Sequence, residues 1–166
     1  MKIVDKNFQI LTDYILSYKT SNIFNTDLIE EWTIGLINLG YESDSIFMLA
    51  SFSKPIDYYE IETYLKKVFI ELQLEEKNKL EADNSFLKYH INQMANSKKI
   101  RANLRLVMDF FYSHESDELI RDFYLLYYAW EDLEDYGENN YYDNVNLETI
   151  ESVVIEKAIL WIEQNH

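Results

Sequence analysis

Apolar residues return every three or four positions along most of the 166-residue chain, the period that gathers them on one face of an α-helix. Phe8, Leu11, Ile15 and Tyr18 predict a first amphipathic helix that ends near Thr20-Ser21-Asn22. Asn25 or Thr26 stands where a second helix needs a cap, and Leu28, Trp32, Gly35, Leu36 and Leu39 form its apolar face up to a left-handed stop at Gly40. A shorter third helix starts at about Ser43 and carries Ile46, Leu49 and Ala50 until Ser53-Lys54-Pro55 breaks it. Asp57 followed by Glu60 reads as a capping box with Asp in place of Ser or Thr. Ile61, Tyr64, Leu65, Val68, Phe69 and Leu72 then follow the helical template closely.

The polar run Glu75-Glu76-Lys77-Asn78-Lys79 is either a turn or a solvated extension, after which Phe86, Leu87, Ile91 and Met94 resume a weaker stripe. Ile100, Leu104, Val107, Met108 and Phe111 predict the next helix, ended at Tyr112-Ser113-His114. From Asp117 to Asp135, with Ser116 as its cap, Leu119, Phe123, Leu126, Trp130 and Leu133 share one face while Leu125 and Tyr128 lie on others. A helix apolar on several sides belongs in a central position. A polar loop over residues 136–146 leads to Asn146 as the cap of a final helix bearing Leu147, Ile150, Val154, Ala158 and Trp161. Trp32, Trp130 and Trp161 all fall on apolar faces and are expected mainly inside, as core anchors. The prediction is an all-α, single-domain bundle of about seven or eight helices over residues 1–166, with a division into two helix subclusters near residues 75–80 left open.

Composition narrows this picture. An apolar share of 48% with 27% charged residues is that of a chain that folds on its own. Three glycines and one proline are too few for strands joined by tight turns, and no phosphate-cradling loop can be assembled from Gly35, Gly40 and Gly137. The absence of cysteine excludes disulfides, thiolate catalysis and cysteine-ligated metals. An acid at position 5 interrupts any signal-like start, and no stretch of about 18 apolar residues occurs, so a cytoplasmic protein with no membrane partner is expected.

Charge changes the picture more. The net charge is −15, but residues 1–112 hold 16 acids against 13 bases, whereas residues 113–166 hold 14 acids against only Arg121 and Lys157. A field of that sign repels nucleic acid and attracts basic partners, so direct DNA binding is not expected. Solvation alone is the plain alternative explanation of an acidic surface. The sharpest local anomaly is Glu131, Asp132, Glu134 and Asp135, which crowd the end of a helix where the backbone dipole is already negative. The adjoining loop adds Tyr136, Glu138, Tyr141, Tyr142 and Asp143, so that carboxylates alternate with an aromatic residue favoured at binding hot spots. These nine residues form the candidate partner-binding surface, with a basic protein as its natural complement.

Other chemistries find less support. Asp132, Glu134, Gly137 and Asp143 fall at calcium-loop positions, but Tyr136 occupies a ligand position and Asp143 stands where a bidentate glutamate is needed. His90, His114 and His166 have no spacing that would bring metal ligands onto one helix face. No catalytic residue, metal ligand or cofactor is therefore assigned. Lys98, Arg101 and Arg105 lie within about 60° on one helix face. They fit either a solvated face or an internal complement to the acidic last third better than a phosphate contact.

Leu28-Ile29-Glu30-Glu31-Trp32, Leu36-Ile37, Gly40-Tyr41, and Ile46 with Leu49-Ala50 form a pattern that resembles small helical immunity proteins of bacterial polymorphic or contact-dependent toxin systems. The resemblance implies a non-catalytic cytosolic antidote that blocks a cognate toxin by covering its active site or an adjacent surface. Two other readings stand beside it. A helical adaptor or structural interaction protein unrelated to toxins would bind through an apolar groove, with little dependence on salt. An enzyme would need a large pocket with converging carboxylates.

Overall fold

The apolar stripes become helix faces that are buried against one another. A computed structural model of the protein describes residues 5–20, 24–114 and 118–165. Among these residues the secondary structure is entirely helical: α1 (Lys6–Ile15), α2 (Leu28–Asn38), α3 (Asp44–Ala50), α4 (Tyr58–Leu72), α5 (Lys79–Ala95), α6 (Ile100–Ser113), α7 (Arg121–Tyr136) and α8 (Ile150–Gln164). A single 3₁₀ turn, Glu118–Ile120, precedes α7. No helix among them is long and apolar enough to cross a membrane. The described chain divides into two compact units, residues 1–86 and 87–166, with the division inside α5 between Phe86 and Leu87.

In the first unit α1 packs on α2, α2 on α3 and α3 on α4. Trp32 is fully buried, and its indole N–H donates to the Thr12 hydroxyl at 3.1 Å, which in turn donates to the Phe8 carbonyl at 2.9 Å. A buried indole without such an acceptor would lose the hydrogen bond it makes to water. The approach of α1 to α2 depends on Gly35, because a Cβ at that position would overlap the Phe8 ring. Ile61, Leu65, Val68 and Phe69 of α4 are interior, as their spacing predicts.

Several helix boundaries follow the predicted chemistry. The Ser43 hydroxyl accepts from the Ile46 amide at 3.2 Å, and an Asp57 carboxylate oxygen accepts from the Tyr59 amide at 2.8 Å. Gly40 (φ 81°) and Gly137 (φ 78°) both adopt the left-handed conformation, Gly137 directly after α7 with its N–H on the Leu133 carbonyl at 3.1 Å. Other boundaries differ. The first helix stops at Ile15 and continues to residue 20 as irregular turns, although Tyr18 remains buried. Neither Asn25 nor Thr26 is the N-cap of α2. Asp27 takes that place, and its carboxylate accepts from the Ile56 amide at 2.9 Å, while the Thr26 hydroxyl donates to the Ile56 carbonyl at 2.6 Å. Both side chains are drawn to a distant backbone segment instead of the helix end. Non-glycine residues hold left-handed angles at Gln73 (φ 54°), Ser97 (φ 56°), Lys99 (φ 44°) and Asn144 (φ 60°).

In the second unit α6, α7 and α8 pack on one another. Ile100, Leu104, Val107, Met108 and Phe111 of α6 are all buried, as are Phe123, Leu126 and Leu133 of α7. The position proposed for the helix cap, Ser116, lies outside the described residues. Leu119, placed by spacing on the buried face of α7, is 64% exposed because it sits in the 3₁₀ turn, where the periodicity changes. Leu147 is likewise exposed, since α8 begins only at Ile150 and the Asn146 side chain caps the preceding turn by accepting from the Glu148 and Thr149 amides. Trp130 and Trp161 are half-buried and not interior. The Trp161 indole N–H donates to the Leu119 carbonyl at 3.1 Å, tying the end of α8 to the turn before α7.

Candidate functional site

Helix α7 delivers four carboxylates to its own negative end, with no base in its last turn. Part of the resulting repulsion is relieved from another helix. Arg101 of α6 donates to both Glu131 and Glu134, the latter at 3.2 Å, and its guanidinium lies 5.1 Å from the Tyr127 ring centre and 4.8 Å from that of Trp130. The planar guanidinium is suited to this arrangement, since its edge bonds carboxylates while its face stacks on aromatic rings. Lys98 lies in the bend before α6 and so does not share a helix face with Arg101 and Arg105, and of these bases Arg101 is an internal complement to the acidic last third. It also explains why Trp130 stays half-exposed: one side of the indole serves a cation and not the core.

The nine nominated residues consequently separate into two groups. Glu131 and Glu134, three residues apart, turn toward Arg101. Asp132 and Asp135, also three apart, lie on a different side of the helix with Tyr136, which is 76% exposed. Among the described residues, Asp132, Asp135, Glu138 and Asp143 form no ion pair within the chain. Asp135, Glu138 and Asp143 are exposed, and Asp132 is half-buried.

The loop after α7 does not extend into solvent but folds back. The Asn139 side-chain oxygen accepts from the amides of Tyr141 and Tyr142 at 3.1 and 2.9 Å, turning the chain at that point. The Tyr141 ring then packs 5.3 Å from Tyr128, and the Tyr142 ring lies under the Lys157 ammonium at 5.9 Å. Lys157 also donates to Asp122 at 2.7 Å, and this bond, with a further one to Tyr142, raises its pKa. Tyr142 is thus occupied by an internal cation, whereas Tyr141 adds an exposed edge to a tyrosine cluster.

That cluster was not singled out from the sequence. The Tyr112 and Tyr128 hydroxyls are hydrogen-bonded at 2.9 Å, Tyr124 packs against Tyr112, Tyr128 and Phe111 at 5.5, 5.1 and 4.6 Å, and the group continues through Tyr128 to Tyr141. The hydrogen bond to Tyr128 raises the Tyr112 pKa above its ordinary value. The signal available was the helical spacing Tyr124-Tyr128, obscured by tyrosines on every side of α7. Among the described residues no group of three or more histidines and carboxylates is placed to hold a metal ion.

No protein-family model matches this chain, and neither a curated protein nor a solved structure matches it.

Proposed function

We propose that this chain is a non-catalytic binding protein that neutralises a basic toxin or nuclease in the cytoplasm, docking through the acidic, tyrosine-bearing end of α7. The observation that carries this reading is the set of Asp132, Asp135, Glu138 and Asp143 without ion-pair partners beside the exposed Tyr136, although Arg101 and Lys157 are near enough in the fold to neutralise other acids. Carboxylates left unpaired retain their field for an incoming cationic surface, and an aromatic side chain among them supplies apolar contact area at small entropic cost. The resemblance over residues 28–50 supports the same reading, and its residues Trp32, Leu36, Ile46 and Leu49 are buried ones, so it concerns the helical core and leaves the surface to be argued from charge.

The test is affinity capture from the native cell at low salt and at about 0.3 M salt, where the Debye length falls to about 6 Å. Asp135→Lys and Glu138→Lys together form the comparison variant, chosen because Glu134 is already engaged by Arg101. The expected result is a basic protein held by the wild type, released by salt, missed by the variant and inhibited by stoichiometric addition of the wild-type chain. Capture indifferent to both salt and the substitutions would refute the reading.

One observation favours the adaptor reading instead. A cleft of about 220 Å³ lies beside the start of α7, where the exposed Leu119 and Leu160 and the half-buried Trp161 share the lining with Glu118, Asp122, Lys157 and Gln164. A partner held there through Leu119, Leu160 and Trp161 would be lost on Leu160→Glu while binding by the Asp135→Lys and Glu138→Lys variant stayed unchanged.

A further inference from the structure

The first unit contains a cavity of about 290 Å³ that plays no part in the acidic surface. Its walls are mainly apolar, with Phe8 from α1, Leu36 and Leu39 from the end of α2, Tyr41, and Glu71 and Leu72 from the end of α4. This size falls near the lower bound of small-molecule sites, about 300 Å³.

Three features give the cavity one electrostatic sign. First, it is bordered by the C-terminal ends of both α2 and α4, the negative ends of the two helix dipoles, whose carbonyls at Leu36, Ile37, Phe69 and Ile70 accept from the Tyr41, Gly40, Leu74 and Gln73 amides. Second, Glu71, which is itself exposed, is held by two serines of the segment that opens α3: one carboxylate oxygen accepts from the Ser43 hydroxyl at 2.6 Å and the other from the Ser45 hydroxyl at 2.9 Å. These donors are neutral, so they orient the carboxylate without cancelling its charge, and each oxygen keeps a second lone pair. Third, no lysine, arginine or histidine lines the cavity, and among the described residues no cation pairs with Glu71. The aromatic side chains of Phe8 and Tyr41 complete a lining that favours a positive group on an apolar body and disfavours an anion.

We infer that this cavity binds a small organic ammonium ion, a primary amine on an aryl or alkyl tail, with the ammonium on Glu71 and the tail between Phe8 and the leucines. The fixed carboxylate supplies the charge-assisted hydrogen bond, and the apolar walls supply the burial. This site lies in a different unit from the surface proposed to bind a partner, so the two assignments stand or fall separately.

The experiment titrates the full chain, labelled at its leucine methyl groups, with 2-phenylethylammonium, with the neutral 2-phenylethanol and with the anionic 3-phenylpropanoate. Saturable shifts at Leu36, Leu39 and Leu72 are expected for the ammonium ion at about millimolar concentration, with at least about tenfold weaker response to the alcohol and none to the carboxylate. Glu71→Gln can still accept from one serine and donate to the other, so it should keep the folded methyl spectrum while weakening the amine about tenfold. The comparison of the three probes on the wild type needs no variant. Equal binding of the amine and the alcohol, no response to the amine at about 10 mM, or undiminished amine binding by a folded Glu71→Gln protein would each overturn the inference.

Discussion

Acidifying this protein from pH 8 to 5 favours its unfolded chain, because the core of its second unit holds a histidine that resists taking up a proton. His90 is 5% exposed, and its Nδ1 lies 2.8 Å from the Asn103 side-chain oxygen. The Asn103 amide nitrogen donates to the Lys98 and Lys99 carbonyls at 2.9 and 3.1 Å, so its oxygen is the atom that faces the ring and Nδ1 carries the proton of the neutral imidazole. Protonation must then occur at Nε2, inside the core. Burial pushes the imidazole down from 6.5 to about 4, against the opposing effect of the Asn103 hydrogen bond. Because the folded pKa lies below the unfolded one, the unfolded chain takes up more protons between these values, and stability is lost as pH falls through that window. The loss amounts to about 2 kcal/mol at pH 5 and about 3 kcal/mol at pH 4. The assay is urea unfolding followed through the Leu104 and Val107 methyl resonances, which report on this unit alone. Wild type is compared with His90→Gln, which lacks the titrating group, so that carboxylate contributions common to both cancel. The wild-type midpoint should fall relative to the variant by about 1–2 M urea between pH 8 and pH 5. A stability difference between the two proteins that stays constant over that range would refute the argument.

Gly35→Ala should destabilise the first unit by about 1–2 kcal/mol even though alanine is the better helix former, because the new methyl displaces the Phe8 ring. Thermal unfolding of the double variant with Phe8→Ala checks the cause: Gly35→Ala should become stabilising once the ring is removed. Arg101→Gln should cost about 1–2 kcal/mol in chemical denaturation of the second unit, through loss of the stacked cation and release of Glu131 and Glu134.

The helices with the strongest stripes were legible because their burial is one-sided and long. In α4 and α6 the predicted apolar residues lie almost entirely inside. The start at Asp57 was legible, as was a helix beginning at about Ser43, whereas for α2 the expected caps Asn25 and Thr26 gave way to Asp27, with Thr26 and Asp27 both drawn to Ile56. The acidic end of α7 was visible as a breach of dipole rules, but its relief by Arg101, 30 positions earlier, depends on which helices are neighbours. The same limit hid the return of Tyr141 and Tyr142 onto the unit. Periodicity reports which residues avoid water. It does not report which polar residues find each other.

The left-handed residues at Gln73, Ser97 and Lys99 bear on how this protein can change over generations. A non-glycine, non-asparagine side chain in that conformation is strained by about 1–2 kcal/mol, part of which glycine would recover after its greater freedom in the unfolded chain is counted. All three side chains are exposed, so replacing them disturbs no buried packing. A chain that spends only three glycines on its backbone thus keeps a reserve of single-step stabilising substitutions. Such a reserve can offset the cost of altering exposed residues such as Asp135, Tyr136 or Glu138 while the helices beneath them stay as they are.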